Sequence, residues 1–183
     1  KTMLRIDLEK PLGSGSTVSF HVKWWYNIND RSKVGGRSGY EYFPEDDNYI
    51  YTIAQFFPRM AVYNEVEGWQ NKQFLGRGEF TLPFGDYKVN ITVPSDHIVS
   101  ATGELKNASS VLTKTQIKRW EKAKKNYKEP VIIVTQDEAI ANEKEKSESL
   151  KTWRFEAKNV RDFGWASSRK FIWDAMAVDI GGN

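Results

Sequence analysis

Cysteine is absent from this chain, and histidine occurs only twice among its 183 residues, as His21 and His97. The lack of cysteine excludes disulfides, thiolate nucleophiles and sulfur-ligated zinc sites, although it does not select a cellular compartment. A zinc hydrolase needs about three protein ligands, commonly including two histidines one helical turn apart. The two imidazoles are too far apart in sequence for that arrangement. We therefore predict that this chain alone holds no zinc.

Long apolar runs and a strong charge of one sign are also missing. No apolar stretch approaches the roughly 20 residues of a transmembrane helix, so we expect no membrane span. The formal net charge of +3 is too small to indicate a nucleic-acid partner. The chain opens like a strand already under way and lacks the pattern of a signal peptide. We expect it to be a piece of a longer protein whose true N-terminus, with any signal, has been removed.

Aromatic residues, in contrast, make up 14% of the chain and are mostly interleaved with polar residues. This composition predicts a sheet-rich folded protein, and the length is compatible with a single domain over residues 1–183. Alternation with period two predicts strands, most clearly at Gly85–Pro94, where one face is apolar and the other polar. Further strands are predicted at residues 3–9, 17–27, 49–57, 97–105, 131–135 and 151–158.

Helical character is confined to residues 112–128. Thr113 and Gln116 have the spacing of a capping box, and Ile117 and Trp120 lie near one face of the helix that follows. The remaining faces are basic, which predicts one short basic helix that covers the sheet and is solvated on its outer side. Residues 137–151 carry mixed charges and almost no large apolar side chains, which is the pattern of a loop or a solvent-exposed helix, and we favour the loop.

Two groups of residues could in principle be catalytic. Ser95, Asp96 and His97 are the residue types of a hydrolytic triad, but adjacent strand residues point to opposite faces and no nucleophile elbow is present. We predict a strand-ending turn there. The carboxylates at 45–47 could act as acid and base, but they follow a proline in a hydrophilic stretch and are predicted to be solvated. No catalytic residue is assigned.

Four segments of the chain, in this order, resemble the N-terminal domain of the aminopeptidase N family of zinc peptidases. They are residues 55–69 (QFFPRMAVYNEVEGW), 85–94 (GDYKVNITVP), 101–105 (ATGEL) and 160–166 (VRDFGWA). The similarity covers most of residues 49–174. It is greatest to a divergent bacterial branch, because residues 61–68 replace the Pro-Cys-x-Asp-Glu-Pro motif that is usual in the family.

The resemblance implies a mainly β fold, namely a saddle-shaped, largely antiparallel, β-sandwich-like domain with one short basic helix. In the family this domain packs against a thermolysin-like catalytic domain that holds zinc on two histidines and a glutamate. Neither the His-Glu-x-x-His helix nor the Gly-x-Met-Glu-Asn type loop occurs in this sequence. We therefore expect zinc in a catalytic domain of the same polypeptide after residue 183, with no cofactor in this part. A periplasmic or exported location is likewise suggested by the resemblance.

One substrate-binding residue can be carried over from the family. A family glutamine on the strand before the proline motif reaches the first substrate pocket, and Gln55 occupies the matching place. A neutral amide there can hydrogen-bond a peptide terminus. The alternative is a polar residue that closes a strand end. Two residues later, where relatives are often polar, Phe57 would make that side of the pocket more apolar.

The function expected from these observations is that of a non-catalytic scaffold, which packs on the catalytic domain and forms a wall of the peptide entrance. One alternative is a carbohydrate-binding β-sandwich, because Trp24, Trp25 and Trp69 could stack on sugar rings. The other is a protein-interaction or adaptor module that uses its basic helix on anionic surfaces.

Overall fold

A computed structural model of the chain describes residues 3–72 and 81–181. The fold is mainly β, with 32% strand and 16% helix, and its sheets are antiparallel. This confirms the predicted fold class. The chain divides into two compact units: unit 1 comprises Lys1–Asn27 and Phe56–Phe84, and unit 2 comprises Ile28–Gln55 and Gly85–Asn183. That the whole of 1–183 is one domain stays a prediction.

The described residues form eleven strands and four helices. The strands are β1 Gly39–Phe43, β2 Asn48–Ile53, β3 Tyr63–Asn64, β4 Gly68–Trp69, β5 Gly85–Pro94, β6 Ile98–Ala101, β7 Glu104–Leu105, β8 Val131–Val134, β9 Leu150–Val160, β10 Trp165–Ser168 and β11 Trp173–Ala175. The helices are α1 Arg31–Val34, α2 Ala108–Val111, α3 Lys114–Ala123 and α4 Gln136–Glu145.

A four-stranded antiparallel sheet in the order β1-β2-β10-β6 forms one layer of unit 2. In the β1–β2 hairpin Tyr42 lies opposite Tyr49, with ring centroids 4.8 Å apart, and Tyr49 stacks on Tyr51 at 5.9 Å. Such aromatic pairs add stability beyond the area that they bury. At the far end of β2, Ile53 pairs with Trp165 of β10 and is buried.

A three-stranded sheet in the order β5-β9-β7 forms the second layer. Ile91 of β5 lies opposite Trp153 of β9, and Val89 lies opposite Phe155; three of these side chains, Ile91, Trp153 and Phe155, are in the buried core. The intervening β5 residues point to solvent, as the alternation predicts. The β5 prediction is confirmed, and β9 contains the predicted strand 151–158.

The prediction of a single strand at 97–105 is wrong. The structure divides it into β6, which pairs with β10, and β7, which pairs with β9. Gly103 makes the division possible, since its φ of +88° and the closeness of the Glu156 backbone oxygen leave no room for a side chain.

Helix α3 begins where the sequence predicts. The Thr113 hydroxyl accepts from the Gln116 N–H, and the Gln116 side chain accepts from the Thr113 N–H. The loop predicted for 137–151 is wrong over most of its length, because Thr135 and Glu138 form a second capping box that begins α4. Arg119 of α3 joins the two helices through a 2.6 Å salt bridge with Glu138.

Unit 1 contains little regular structure in its described residues. A short hairpin of β3 and β4 is closed by the Asn64 side chain, which accepts from the N–H groups of Val66 and Glu67. The strands predicted at 3–9 and 17–27 are wrong, since neither segment forms a strand. Their alternation is real, but a strand requires a neighbouring ladder, and the structure gives these segments none among its described residues.

Candidate functional site

Gln55, the predicted substrate-binding residue, lies two residues beyond the end of β2 and is exposed. Its φ of +53° is in the left-handed region, which is unfavourable for a residue with a Cβ. Such a conformation costs on the order of 1 kcal/mol and persists only where the surroundings impose it. Backbone strain of this kind is more frequent at functional positions, so Gln55 has a feature that the sequence alone does not show.

The backbone before Gln55 is firmly held within unit 2. Ile53 is buried in the ladder with β10, and the next N–H group, that of Ala54, donates to Ser38 Oγ at 3.1 Å. No residue in the described part of the chain hydrogen-bonds the Gln55 side chain, so its amide has both a donor and an acceptor available to a ligand. Contact between Gln55 and a peptide stays a prediction.

Phe57, the second residue of the predicted pocket, belongs to unit 1. Its ring meets that of Phe56 edge-on, with centroids 5.0 Å apart, and the Arg59 guanidinium lies 5.6 Å from the Phe57 ring centroid. The position is therefore partly buried and mainly apolar, as the sequence indicates for this residue.

The predicted turn at 95–97 is confirmed by a hydrogen bond from the His97 N–H to the Pro94 carbonyl, 2.9 Å long. His97 is buried, with 3% exposure, and its Nδ1 lies 2.8 Å from Ser167 Oγ. Asp96 does not orient this imidazole. Its Oδ2 accepts from Arg169 Nε at 2.7 Å and from the Ser147 N–H. Because Ser167 is fully buried, no substrate can reach it, and the cluster joins β6, β10 and the end of α4.

Burial, together with the positive charge of Arg169, lowers the pKa of His97 to about 4. The Asp96 carboxylate acts in the opposite direction, but its effect is smaller. At neutral pH the imidazole is therefore uncharged. An uncharged, inaccessible imidazole cannot exchange a proton with substrate, so its role is structural.

The carboxylates at 45–47 also have structural partners. Asp47 accepts from Lys146 at 2.5 Å, and Asp46 pairs with Lys170. This hydrogen bond with Asp46 is the main cause of the raised pKa of Lys170. The pair of Asp47 with Lys146 connects the β1–β2 turn to the residue after α4. The pair of Asp46 with Lys170 connects the same turn to a residue after β10. They do not face each other across a cleft as a catalytic acid and base would.

No group of three or more His, Cys, Asp or Glu side chains that could hold a metal is present in residues 3–72 and 81–181. His21 lies exposed in unit 1, and His97 is buried with Nδ1 on Ser167 in unit 2. These donors do not fit the zinc site that the family implies. Over the same residues, no helix is both long and apolar enough to cross a bilayer.

The tryptophans of unit 1 do not share one role. Trp24 donates its indole N–H to the Phe56 carbonyl at 2.8 Å, whereas Trp25 is 86% exposed. Trp69 meets Tyr63 edge-on, with the ring planes at 71°. A flat sugar-stacking platform requires ring faces that are coplanar, and the Tyr63–Trp69 pair does not provide it.

A concavity of about 290 Å³ in unit 2 was not predicted from the sequence. It is lined by Phe155 and Leu105, by Trp120 of α3 and by Trp173 of β11, with Glu104 among its polar residues. These side chains come from segments far apart in the chain. No local pattern could therefore have indicated that they meet.

Comparison with known proteins provides no match. No family model matches the chain, and neither a curated protein nor a solved structure is similar to it. The likeness to aminopeptidase N therefore depends on four sequence segments, and function has to be argued from the residues themselves.

Proposed function

We propose that this chain is the N-terminal β domain of a zinc aminopeptidase, a non-catalytic scaffold that packs on the catalytic domain and forms a wall of the peptide entrance. The proposal is supported by four segments in the order of the family. It is also supported by a large amount of exposed apolar surface in unit 1, and that surface is the observation that carries it.

Residues 3–27 expose a series of large apolar side chains. Each of them is at least 38% exposed. They are Met3, Leu4, Ile6, Leu8, Leu12, Val18, Phe20, Val22, Trp24, Trp25 and Tyr26. Full burial of one large apolar side chain contributes about 1.5–3 kcal/mol, so half-burial of these eleven represents roughly 10 kcal/mol. That is comparable with the whole stability of a domain, and surface of this size indicates a partner.

We assign this apolar surface of unit 1 to the catalytic domain of the same polypeptide. Intramolecular domain interfaces bury surface of this kind, and the partner need not be found by diffusion. By the resemblance, zinc in that domain would polarise the scissile carbonyl, and a glutamate beside the metal would activate water. The part assigned to the present chain is binding, because the Gln55 amide hydrogen-bonds the peptide terminus.

The test has two arms. In the full-length protein, Gln55→Ala should raise KM for an aminoacyl reporter with little change in kcat, because the amide contributes binding and no chemistry. The matched control is Gln136→Ala, at an exposed glutamine of unit 2. The isolated chain with added zinc should show no turnover, and metal-dependent turnover there would overturn the proposal.

A second candidate function is the binding of a small sugar in the concavity of unit 2. Its volume suits one or two rings, and indole faces with a few polar groups are the usual lining of such a site. Titration with a panel of oligosaccharides, followed by tryptophan fluorescence, would detect it. Saturable binding that Trp173→Ala removes would favour this candidate over the scaffold.

A further inference from the structure

The solvent-facing side of α3 carries four lysines that we call the lysine stripe. They are Lys114, Lys118, Lys122 and Lys125, the last in the turn that directly follows the helix. All four are exposed. At 100° and 1.5 Å per residue they fall within an arc of about 80° and extend over about 16 Å. The opposite side of α3 buries Gln116 and Ala123.

The other charged side chains of α3 have partners. Glu121, its only carboxylate, forms a salt bridge with Lys124 at 3.2 Å, and Arg119 is held by Glu138. Across residues 3–72 and 81–181, the ammonium groups of the lysine stripe form neither a salt bridge nor a hydrogen bond. The stripe is thus a row of positive charge whose neighbouring carboxylate, Glu121, is engaged by Lys124.

The lysine stripe destabilises α3. Like charges at i, i+4 spacing repel each other, and Lys114 lies in the first turn, where the helix dipole disfavours a cation. No acidic residue in that turn offsets the effect. An anionic partner would make all of these contacts favourable. Local features that oppose the fold without a structural gain are typical of binding sites.

We propose that the lysine stripe docks on an anionic lipid surface. A bilayer is flat, and a row of point charges on a convex helix can meet it without any groove. Nucleic acid fits less well, because recognition of phosphates and bases favours arginine forks and free aromatic faces. The single arginine of α3 is engaged by Glu138 and the Ile133 carbonyl, and Lys124 Nζ lies 3.4 Å from the centroid of the Trp120 ring. This inference is independent of the scaffold role.

The experiment is co-sedimentation of the 183-residue chain with vesicles of phosphatidylcholine alone or with about 30% phosphatidylserine. We expect binding to the anionic vesicles only. Each lysine near such a surface contributes about fivefold in the partition coefficient, so replacing all four stripe lysines with glutamine should weaken binding several-hundredfold. Raising the salt from about 0.1 M to about 1 M should also release the chain, because the screening length falls from about 10 Å to about 3 Å.

The matched control removes the same charge elsewhere. It replaces four exposed lysines that lie outside α3, namely Lys23, Lys88, Lys144 and Lys158, with glutamine. This variant should retain binding within a few-fold. The control variant should keep the wild-type Tm, because its four lysines are exposed. The stripe variant should match or slightly exceed it, because the repulsion between the stripe lysines is removed. Equal loss in the two variants would show that net charge alone acts. Stripe-dependent binding to heparin or duplex DNA without vesicle binding would show a polyanion partner. Either result, or no vesicle binding at all, overturns the proposal.

Discussion

Replacing His97 with glutamine should remove much of the acid sensitivity of unit 2. The imidazole is buried beside Ser167 and Arg169, and its pKa falls from 6.5 to about 4. In the unfolded chain His97 therefore binds a proton near pH 6.5, whereas in the folded chain it binds one only near pH 4. Stability rises with pH wherever the unfolded state holds more protons. The contribution of His97 is thus complete above pH 6.5 and is lost as the pH falls to about 4.

The size of the effect follows from the difference in pKa. One pKa unit corresponds to about 1.4 kcal/mol, so a difference of about 2.5 units gives about 3 kcal/mol. Urea unfolding followed by tryptophan fluorescence between pH 7 and pH 4 gives the free energy of unfolding of each protein. Carboxylates whose pKa is lowered, such as Asp47 and Glu138, also lose stabilisation in acid, but they do so in both proteins.

The quantity to compare is therefore the difference between wild type and His97→Gln at each pH. Between pH 7 and pH 4, we expect the wild type to lose about 3 kcal/mol more free energy of unfolding than His97→Gln loses. His21→Gln, at the exposed histidine, is the matched control variant. Parallel profiles for wild type and His97→Gln would mean that the buried imidazole does not resist protonation, and the structural role given to it would be wrong.

Three further substitutions test local features by the free energy of unfolding. Gly103→Ala should destabilise by about 3 kcal/mol, because the new Cβ meets the Glu156 carbonyl oxygen. The control Gly36→Ala should cost about 1 kcal/mol, because Gly36 also has a positive φ of +96° but has open space around it. Equal costs would contradict the close contact. Thr135→Ala should cost about 1 kcal/mol by removing the cap of α4, and an unchanged value would mean that α4 does not depend on it. Gln55→Gly should stabilise by about 1 kcal/mol by relieving the positive φ, while Gln55→Ala should not.

Local sequence patterns predicted the elements that are stabilised by nearby residues or by one clear face. The alternation of Gly85–Pro94 identifies β5 and its buried side, and Thr113 with Gln116 identifies the start of α3. Helix α4 was missed because its helical periodicity is weak. It is held instead by the Thr135 cap and by Arg119, which comes from another helix. Long-range contacts of this kind leave no local pattern.

The same limit applies to the candidate site. Gln55 was found through the family resemblance, but its positive φ depends on how β2 is held by β10 and Ser38. The separation of residues 98–105 into two sheets depends on a single glycine and on backbone packing around it. In residues 3–27 the alternation identifies apolar side chains correctly, yet it cannot say whether they are buried within this chain or against another surface.

The scaffold role is tested most directly by calorimetric titration of this chain with the catalytic domain that the proposal places after residue 183. We expect one-to-one binding that Phe20→Asp abolishes and that Lys23→Asp, at an exposed lysine of the same segment, leaves in place. No heat of binding at micromolar concentrations, or equal binding by both variants, would show that the exposed apolar residues of unit 1 do not serve a catalytic domain of the same polypeptide.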